Sequence, residues 1–440
     1  MSERDRELGA PGLGRPDLAL DDHDGLAVFS ELPDIASHRE PARQPRAVVV
    51  RRRPQPSGPA RRIVSQVREH ALGIRRFDLV LISAALVLSL LGAMLVWSAT
   101  RGKLAASGDD PKLFFTKHLL NLLIGMVLAW AVTRLDYRTM RAYTPVIYGA
   151  VIVSLLVVLT PLGTSVNGAH AWLNLPAGFT LQPGEFAKIS VILMMAAVLA
   201  ERGLGTQRPR NAEVKQALMW AAAPVALIML QPDLGTVLVI GSVVIGVLVA
   251  AGARLAWIFG LTAAAVGGAF LAIALGLLDQ YQLDRLLTFT DPSRDPLGIG
   301  YNTMQARIAI GAGGFFGSGL FHGHQTQGAF VPYQQTDFVF SVAGEELGFL
   351  GAALIIALVG VILWRGCGIA RRARDPYGRI VATGVVLWFA FQAFENIGMN
   401  LGIMPVTGVP LPFVSYGGTS MFAAWAGIGL LQSVDLRSRT

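Results

Sequence analysis

Charge is scarce in this chain. Only 15% of its 440 residues are Asp, Glu, Lys or Arg, against roughly 25% in a soluble domain. Hydrophobic residues make up 53%, which excludes an ordinary water-soluble globule. Alternation is lacking as well. The apolar residues run in blocks near the ~20 needed for a helix to cross a bilayer, without the every-other pattern of a membrane β-barrel. The single cysteine, Cys367, rules out an internal disulfide and a four-cysteine metal site. It stands beside Arg365, Arg371 and Arg372 and reads as an ordinary cytosolic-side thiol. Gly311 to Gly319 is glycine-rich, but no strand precedes it and no Gly-Lys-Ser follows, so it is not a nucleotide loop. His322 and His324 form a His-x-His pair with no third ligand at sensible spacing. No cleavable signal segment is expected at the start of the chain, where the residues are polar.

What is present is a series of ten hydrophobic segments, at roughly 78–99, 113–133, 142–160, 184–200, 214–230, 233–252, 255–277, 338–364, 379–403 and 414–433. The fold class read from them is an all-α polytopic membrane protein. Ten transmembrane helices occupy 77–435, with a large extracellular loop, 278–337, between the seventh and eighth. Residues 1–76 are polar and lack helical period, and they bury too little apolar surface to offset ordering entropy. They are expected to form a disordered cytoplasmic tail. The net charge of +8 comes from Arg in that tail and in alternate loops. This is the positive-inside pattern, with both termini cytoplasmic, rather than a nucleic-acid footprint. Between Arg43 and Arg76 the only acid is Glu69, so this stretch would lie against anionic inner-leaflet lipid.

The ionisable residues near the membrane each admit a plain reading and a functional one. Glu185 and Lys188 share a helix face, as a structural ion pair or as the lining of a polar cavity. Gln182-Pro183-Gly184-Glu185 and Gln231-Pro232-Asp233 echo each other as helix starts, with Asp233 a first-turn cap. Asp337 sits where a cap would serve the eighth span. Glu345 and Glu346, two turns deeper, cannot both face lipid, so at least one should point into a cavity or toward Arg. Between Met404 and Ser420, Pro405, Pro410 and Pro412 forbid regular helix. A segment of that kind persists near membrane depth only where protein or a wet cavity satisfies it. In the extracellular loop, Asp291 and Asp295 each precede proline. They can initiate turns, or serve as a base or metal ligand with Arg285, Arg294 and Arg307 near to hold phosphate. On these residues alone, a transporter or lipid flippase and a non-catalytic scaffold stand beside an enzyme. The richest motif lies in an outside loop rather than at the midplane, which favours chemistry at one membrane face.

Longer motifs carry a resemblance. They are FDLVLISAALVLSLLGAMLVWSAT in the first span, NGAHAW at 167–172, QPGEFAK at 182–188 and QPDLGT at 231–236. They continue with DPLGIGYNTMQARIAIGAGG at 295–314, TDFVFSVAGEELG at 336–348 and NIGMNLGIMPVTGVPLPFVSYGGTS at 396–420. Over about residues 76–435 the chain resembles the RodA/FtsW, or SEDS, family. The resemblance implies ten spans in the bacterial cytoplasmic membrane and a peptidoglycan glycosyltransferase that polymerises lipid II at the outer face. It also implies a class B penicillin-binding protein as transpeptidase partner. The wording is nearer the elongation and sporulation branch, hence a role in cell shape, with a division-type enzyme as the alternative. The family's essential Asp matches Asp295, as catalytic base or as ligand of a divalent cation such as Mg or Mn; no organic cofactor is implied. Its Glu and Lys match Glu185 and Lys188. The substrate-contacting candidates are Glu185, Lys188, Arg294, Arg307, Gln325, Asp337 and Ser415. The chain departs from the family at Tyr333 in place of Glu, at Gln335 in place of His, at Ser318 in place of Lys, and at Ala171 in place of an Arg often found there.

Overall fold

The computed structural model describes residues 77–166, 169–174, 180–200, 208–276, 289 and 298–439. The chain divides into two units, Met1–Arg61 and Arg62–Thr440, and every described residue belongs to the second. The N-terminal tail, Asp291, Arg294 and Asp295 lie outside the described residues.

Helices dominate. The first is α1 (Leu79–Ser107), started by Asp78, whose side chain accepts from the Leu81 amide. It is followed by α2 (Leu113–Arg134) and α3 (Tyr137–Val158). A small antiparallel sheet of order β1-β2-β3 comes next: Gly163–Val166, Ala169–Asn174 and Thr180–Leu181. In its register Gly163 lies opposite Leu173 and Leu173 opposite Leu181, with an irregularity between Thr164 and Ser165. The chain then returns to helix in α4 (Pro183–Leu199), α5 (Asn211–Met229), α6 (Leu234–Ala250) and α7 (Leu255–Ala274). Beyond them lie α8 (Ile299–Gly313), the short α9 (His324–Gln327) and α10 (Val339–Glu346), and finally α11 (Gly348–Arg372), α12 (Pro376–Leu401) and α13 (Gly418–Ser438).

Each of the ten hydrophobic segments carries a helix, and seven of those helices are long and apolar enough to cross a membrane. They are α1, α2, α3, α5, α7, α11 and α12. α4 and α6 have 17 residues each, short of the usual ~20. α13 ends in Gln432, Ser433, Asp435 and Arg437, which dilute its apolar run. Burial separates the helices further. α4 is buried on nearly every face, so it stands at the centre of the core, whereas α7 buries no residue.

The eighth segment departs from expectation. The sequence reads as one helix over 338–364, but the chain breaks between α10 and α11, with Gly348 at φ +67°. That is a left-handed conformation which glycine adopts without a Cβ penalty. A Cβ here would also strike the backbone nitrogen of Gly317. The loop between α8 and α9 thus packs backbone against backbone on the break: Ser318 and Gly319 amides donate to the carbonyls of Glu345 and Glu346, at 2.9 and 3.0 Å.

One end of the bundle gathers arginines and their partners. Arg365 holds the fully buried Asp78 carboxylate at 2.6 Å. Asp435, also buried, meets Arg372 at 3.3 Å and Arg439 at 2.6 Å. Gln432 clamps the Asp78 backbone, its Oε1 accepting the amide at 3.0 Å and its Nε2 donating to the carbonyl at 2.9 Å.

Candidate active site

At the opposite end, two helix starts stand side by side. Pro183 opens α4, where its missing N–H has no intrahelical role. Asp233 caps α6 as the sequence suggested, its Oδ1 accepting the Thr236 amide at 3.0 Å and its Oδ2 the Thr236 hydroxyl at 2.8 Å. Gln182 Nε2 donates to the same Oδ2 at 3.0 Å. The two Gln-Pro starts that echo in the sequence are therefore neighbours in space.

Glu185 and Lys188 lie in the first turns of α4. Both are buried, and Lys188 Nζ is 2.7 Å from Glu185 Oε1. The ammonium also donates to Gln392 Oε1 at 2.8 Å and stands 5.2 Å from the centre of the Trp388 ring. The Trp388 indole N–H donates to that same Gln392 oxygen at 2.5 Å, and Gln392 Nε2 donates to the Pro410 carbonyl at 2.8 Å. Glu395, one turn further along α12, is buried near the Thr407 hydroxyl. It is attracted by Lys188 and repelled by Asp233. One ammonium thus serves two carboxylates, Glu185 in contact and Glu395 at longer range, in a space closed to water where an ion is tolerated only with close partners.

The proline-containing segment 403–417 is irregular and runs into the protein as expected, with Val409, Leu411, Phe413 and Val414 buried. Side chains of α12 satisfy its backbone. Asn396 Nδ2 donates to the carbonyls of Val409 at 2.8 Å and Asp337 at 2.9 Å, and Asn400 Nδ2 donates to Asp337 at 3.1 Å. Phe413 sits at φ +68°, an uncommon conformation for a bulky residue. Its ring lies against Phe389, 5.2 Å between centroids. Gly92 of α1 leaves room for the Val414 carbonyl, which a Cβ would approach to 2.5 Å.

A second polar cluster forms at the α10–α11 break. Glu345 accepts from the Gln325 amide at 2.7 Å, the Thr326 amide at 2.9 Å and the Thr326 hydroxyl at 2.6 Å. This is an anion at a helix N-terminus, where the backbone dipoles favour it. Glu346 accepts from the Ser98 hydroxyl at 2.5 Å and from Gln327 Nε2 at 3.3 Å. Among the described residues neither acid is paired with an arginine; together they tie the α9 segment to α1 and α10.

The expected site residues divide accordingly. Glu185 and Lys188 form the buried cluster. Ser415 has a committed hydroxyl, which donates to the Thr336 carbonyl at 2.5 Å and accepts the Leu411 amide at 2.8 Å. Asp337 does not cap α10; Phe338 holds that position, because Asp337 belongs to a turn in which its amide bonds to Tyr333. Gln325 belongs to the Glu345 cluster. Arg307 is exposed on α8 beside Gly402. Asp295 and Arg294 lie outside the described residues. Among the described residues no three His, Cys, Asp or Glu side chains gather as a metal site. The polar face of α12, comprising Trp388, Gln392, Glu395, Asn396 and Asn400, was missed in the sequence. Its signal is polar residues three or four apart inside an apolar span.

These features define a multi-pass helical membrane protein with a buried charge cluster under an irregular re-entrant segment. Its fold is similar to that of the rod shape determining protein RodA of Thermus thermophilus, with TM-score 0.59, 28% identity, and 82% of this chain and 96% of that one covered. A chain from a peptidoglycan synthase complex that coordinates polymerization and crosslinking is similar at TM-score 0.67 and 30% identity, covering 82% of this chain and 98% of the other. The family model described as cell cycle protein, FtsW/RodA/SpoVE, matches residues 78–440. The chain belongs to that family, whose place is the cytoplasmic membrane, and it is a peptidoglycan glycosyltransferase. Relatives include a probable peptidoglycan glycosyltransferase FtsW of Trichlorobacter lovleyi, 35% identical over 82% of this chain and 94% of the relative. Stage V sporulation protein E of Bacillus subtilis is 36% identical over 82% and 98%. The peptidoglycan glycosyltransferase MrdB of Escherichia coli K12 is 37% identical over 79% and 90%. Division, sporulation and elongation names stand at nearly equal identity, so the branch is not resolved.

Proposed function

We propose that this chain polymerises lipid II into glycan strands at the outer face of the cytoplasmic membrane, in the elongation branch, with a class B penicillin-binding protein as its crosslinking partner. Ten helices cross the membrane, the three shorter or more polar ones among them, with both termini cytoplasmic. The arginine-rich end of the bundle supports that orientation. The observation that carries the reading is the family match across residues 78–440; the similarity to a chain of a peptidoglycan synthase complex supports the partner.

The reaction joins the acceptor sugar's 4-hydroxyl to the donor's anomeric carbon and releases polyprenyl pyrophosphate. An alcohol is a weak nucleophile at neutral pH, so a carboxylate must take its proton. Asp295 is assigned that role. As that proton leaves, the new C–O bond forms and the bond to pyrophosphate breaks; with a single displacement, the anomeric configuration inverts. The leaving group gathers negative charge, which positioned cations stabilise. Arg307 is the solvent-open cation for this, with Arg294 beside Asp295 in sequence. Lys188 is held by Glu185 and Gln392, and it acts by setting the potential of the cavity rather than by reaching out. Gln325 and Asp337 shape the loop that covers the acceptor. If Asp295 were a ligand for Mg or Mn, the metal would supply charge to the pyrophosphate.

The test is lipid II polymerisation by purified protein with and without its penicillin-binding partner. A general base contributes about 10²–10⁴ in rate, so Asp295→Ala should lose that much while Asp291→Ala keeps its rate. Equal product from wild type and Asp295→Ala would refute the assignment. No polymer from wild type with partner and divalent ions present would move the reading to a lipid flippase.

A further inference from the structure

The arginine-rich end of the bundle carries a groove that the reaction does not use. It lies between α2 and α3 over α4 and α13, with a volume of about 630 Å³, within the roughly 300–1,000 Å³ of ligand-sized clefts. Its deep wall is apolar, formed by Ile147, Ile189, Leu193 and Leu430, and its mouth is formed by Arg134 and Asp136. Ile147 lies ten positions along α3 from Tyr137, about 15 Å at ~1.5 Å per residue. That is half of the ~30 Å hydrocarbon thickness. The groove therefore starts at one membrane surface and ends near the midplane, the depth of one leaflet.

The mouth is cationic. Asp136 is neutralised, with Oδ1 3.3 Å from Arg437 Nε and also accepting the Arg138 amide at 2.9 Å. Arg134 is exposed, its guanidinium held 5.1 Å over the Trp130 ring. Arg138, paired with Asp375 at 3.9 Å, and Arg141 follow within the next two turns. An apolar slot one leaflet deep under a fixed guanidinium matches a molecule with one long chain and a phosphate at its end. We infer that this groove binds a single anionic phospholipid, with an acyl chain in the slot and its phosphate at Arg134. Naming the leaflet as the inner one rests on the orientation proposed above. The binding assay needs no polymerisation, so its failure leaves the glycosyltransferase reading untouched.

The test uses the purified full chain, reconstituted with equal parts phosphatidylglycerol and phosphatidylcholine and examined by native mass spectrometry. Wild type should retain one phosphatidylglycerol in about fivefold preference, the factor contributed by one arginine near an anionic surface. Arg134→Gln alters an exposed side chain and should level the two lipids. Ile147→Trp fills the groove from its lipid side and should reduce retention of both. Equal retention of the two lipids by wild type would overturn the inference in favour of an ordinary lipid annulus. So would an unchanged preference in Arg134→Gln or unchanged retention in Ile147→Trp. A co-purifying polyprenyl lipid lost in Ile147→Trp but kept in Arg134→Gln would overturn it in favour of a prenyl-tail groove.

Discussion

Lys188→Met is the sharpest probe of the buried cluster. Methionine keeps most of the unbranched stem and its volume but removes the ammonium. Lys188 and Glu185 side chains are 1% and 2% exposed, so water cannot take over the lost contacts. Glu185 then loses its 2.7 Å partner, and Gln392 Oε1 keeps only the Trp388 indole. Removing one partner of a buried pair costs about 3–5 kcal/mol, roughly a thousandfold in the unfolding equilibrium at the middle of that range. Replacing both partners together by neutral residues is often close to neutral. Glu185→Gln with Lys188→Met should therefore recover most of the loss, for a coupling energy of about 2–3 kcal/mol. Glu395 would still lack the attraction of Lys188, and adding Glu395→Gln should remove that remainder. Denaturant unfolding in mixed micelles, followed by tryptophan fluorescence, measures all five proteins: wild type, Lys188→Met, Glu185→Gln, the double and the triple variant. A cost under about 1 kcal/mol for Lys188→Met, or single-mutant costs that simply add in the double mutant, would show that the pair is not closed to solvent and refute the reasoning.

Arg365→Leu leaves the fully buried Asp78 carboxylate without its cation and should cost about 3 kcal/mol in the same unfolding assay, most of it restored by adding Asp78→Asn. Gly348→Ala combines a left-handed backbone, worth about 1–3 kcal/mol of strain, with a collision against Gly317; increased proteolysis of the loop between α8 and α10 should report the loosened junction. Ser98→Ala removes a 2.5 Å bond to Glu346 and should cost about 1.5–3 kcal/mol, as for a hydrogen bond to a charged group. Gln327→Leu in the same background should cost about 1–3 kcal/mol more, because it removes the second side-chain donor to that buried oxygen.

The helical membrane architecture was legible because hydrophobic block length is a strong constraint in lipid. The Asp233 cap and the Glu185–Lys188 pair were legible because capping and i,i+3 spacing are local. The α10–α11 break was hidden: Gly348 sits in a continuous apolar run, and its left-handed turn depends on a loop thirty residues earlier in the chain. The β1-β2-β3 sheet was equally hidden, since its short strands carry no sustained alternation. The roles of Asp337 and Ser415 depend on which backbone carbonyl each segment meets in the folded protein, and no pattern within their own segment encodes that. The α12 polar face did have a signal, in Gln392, Asn396 and Asn400 spaced four apart, and it was passed over in favour of the louder motifs around it.

The sewing of segment 403–417 to α12 also sets an order of assembly. Its carbonyls are satisfied by Gln392 and Asn396, and its Ser415 hydroxyl by Thr336, 79 positions away. Before those partners are in place, the segment has no means of entering hydrocarbon, where each unmet backbone group costs several kcal/mol. The residues around Thr336 and α12 must therefore both be packed before it enters, with this connection held in water until then. The roof over Lys188 thus closes only after those partners are in place.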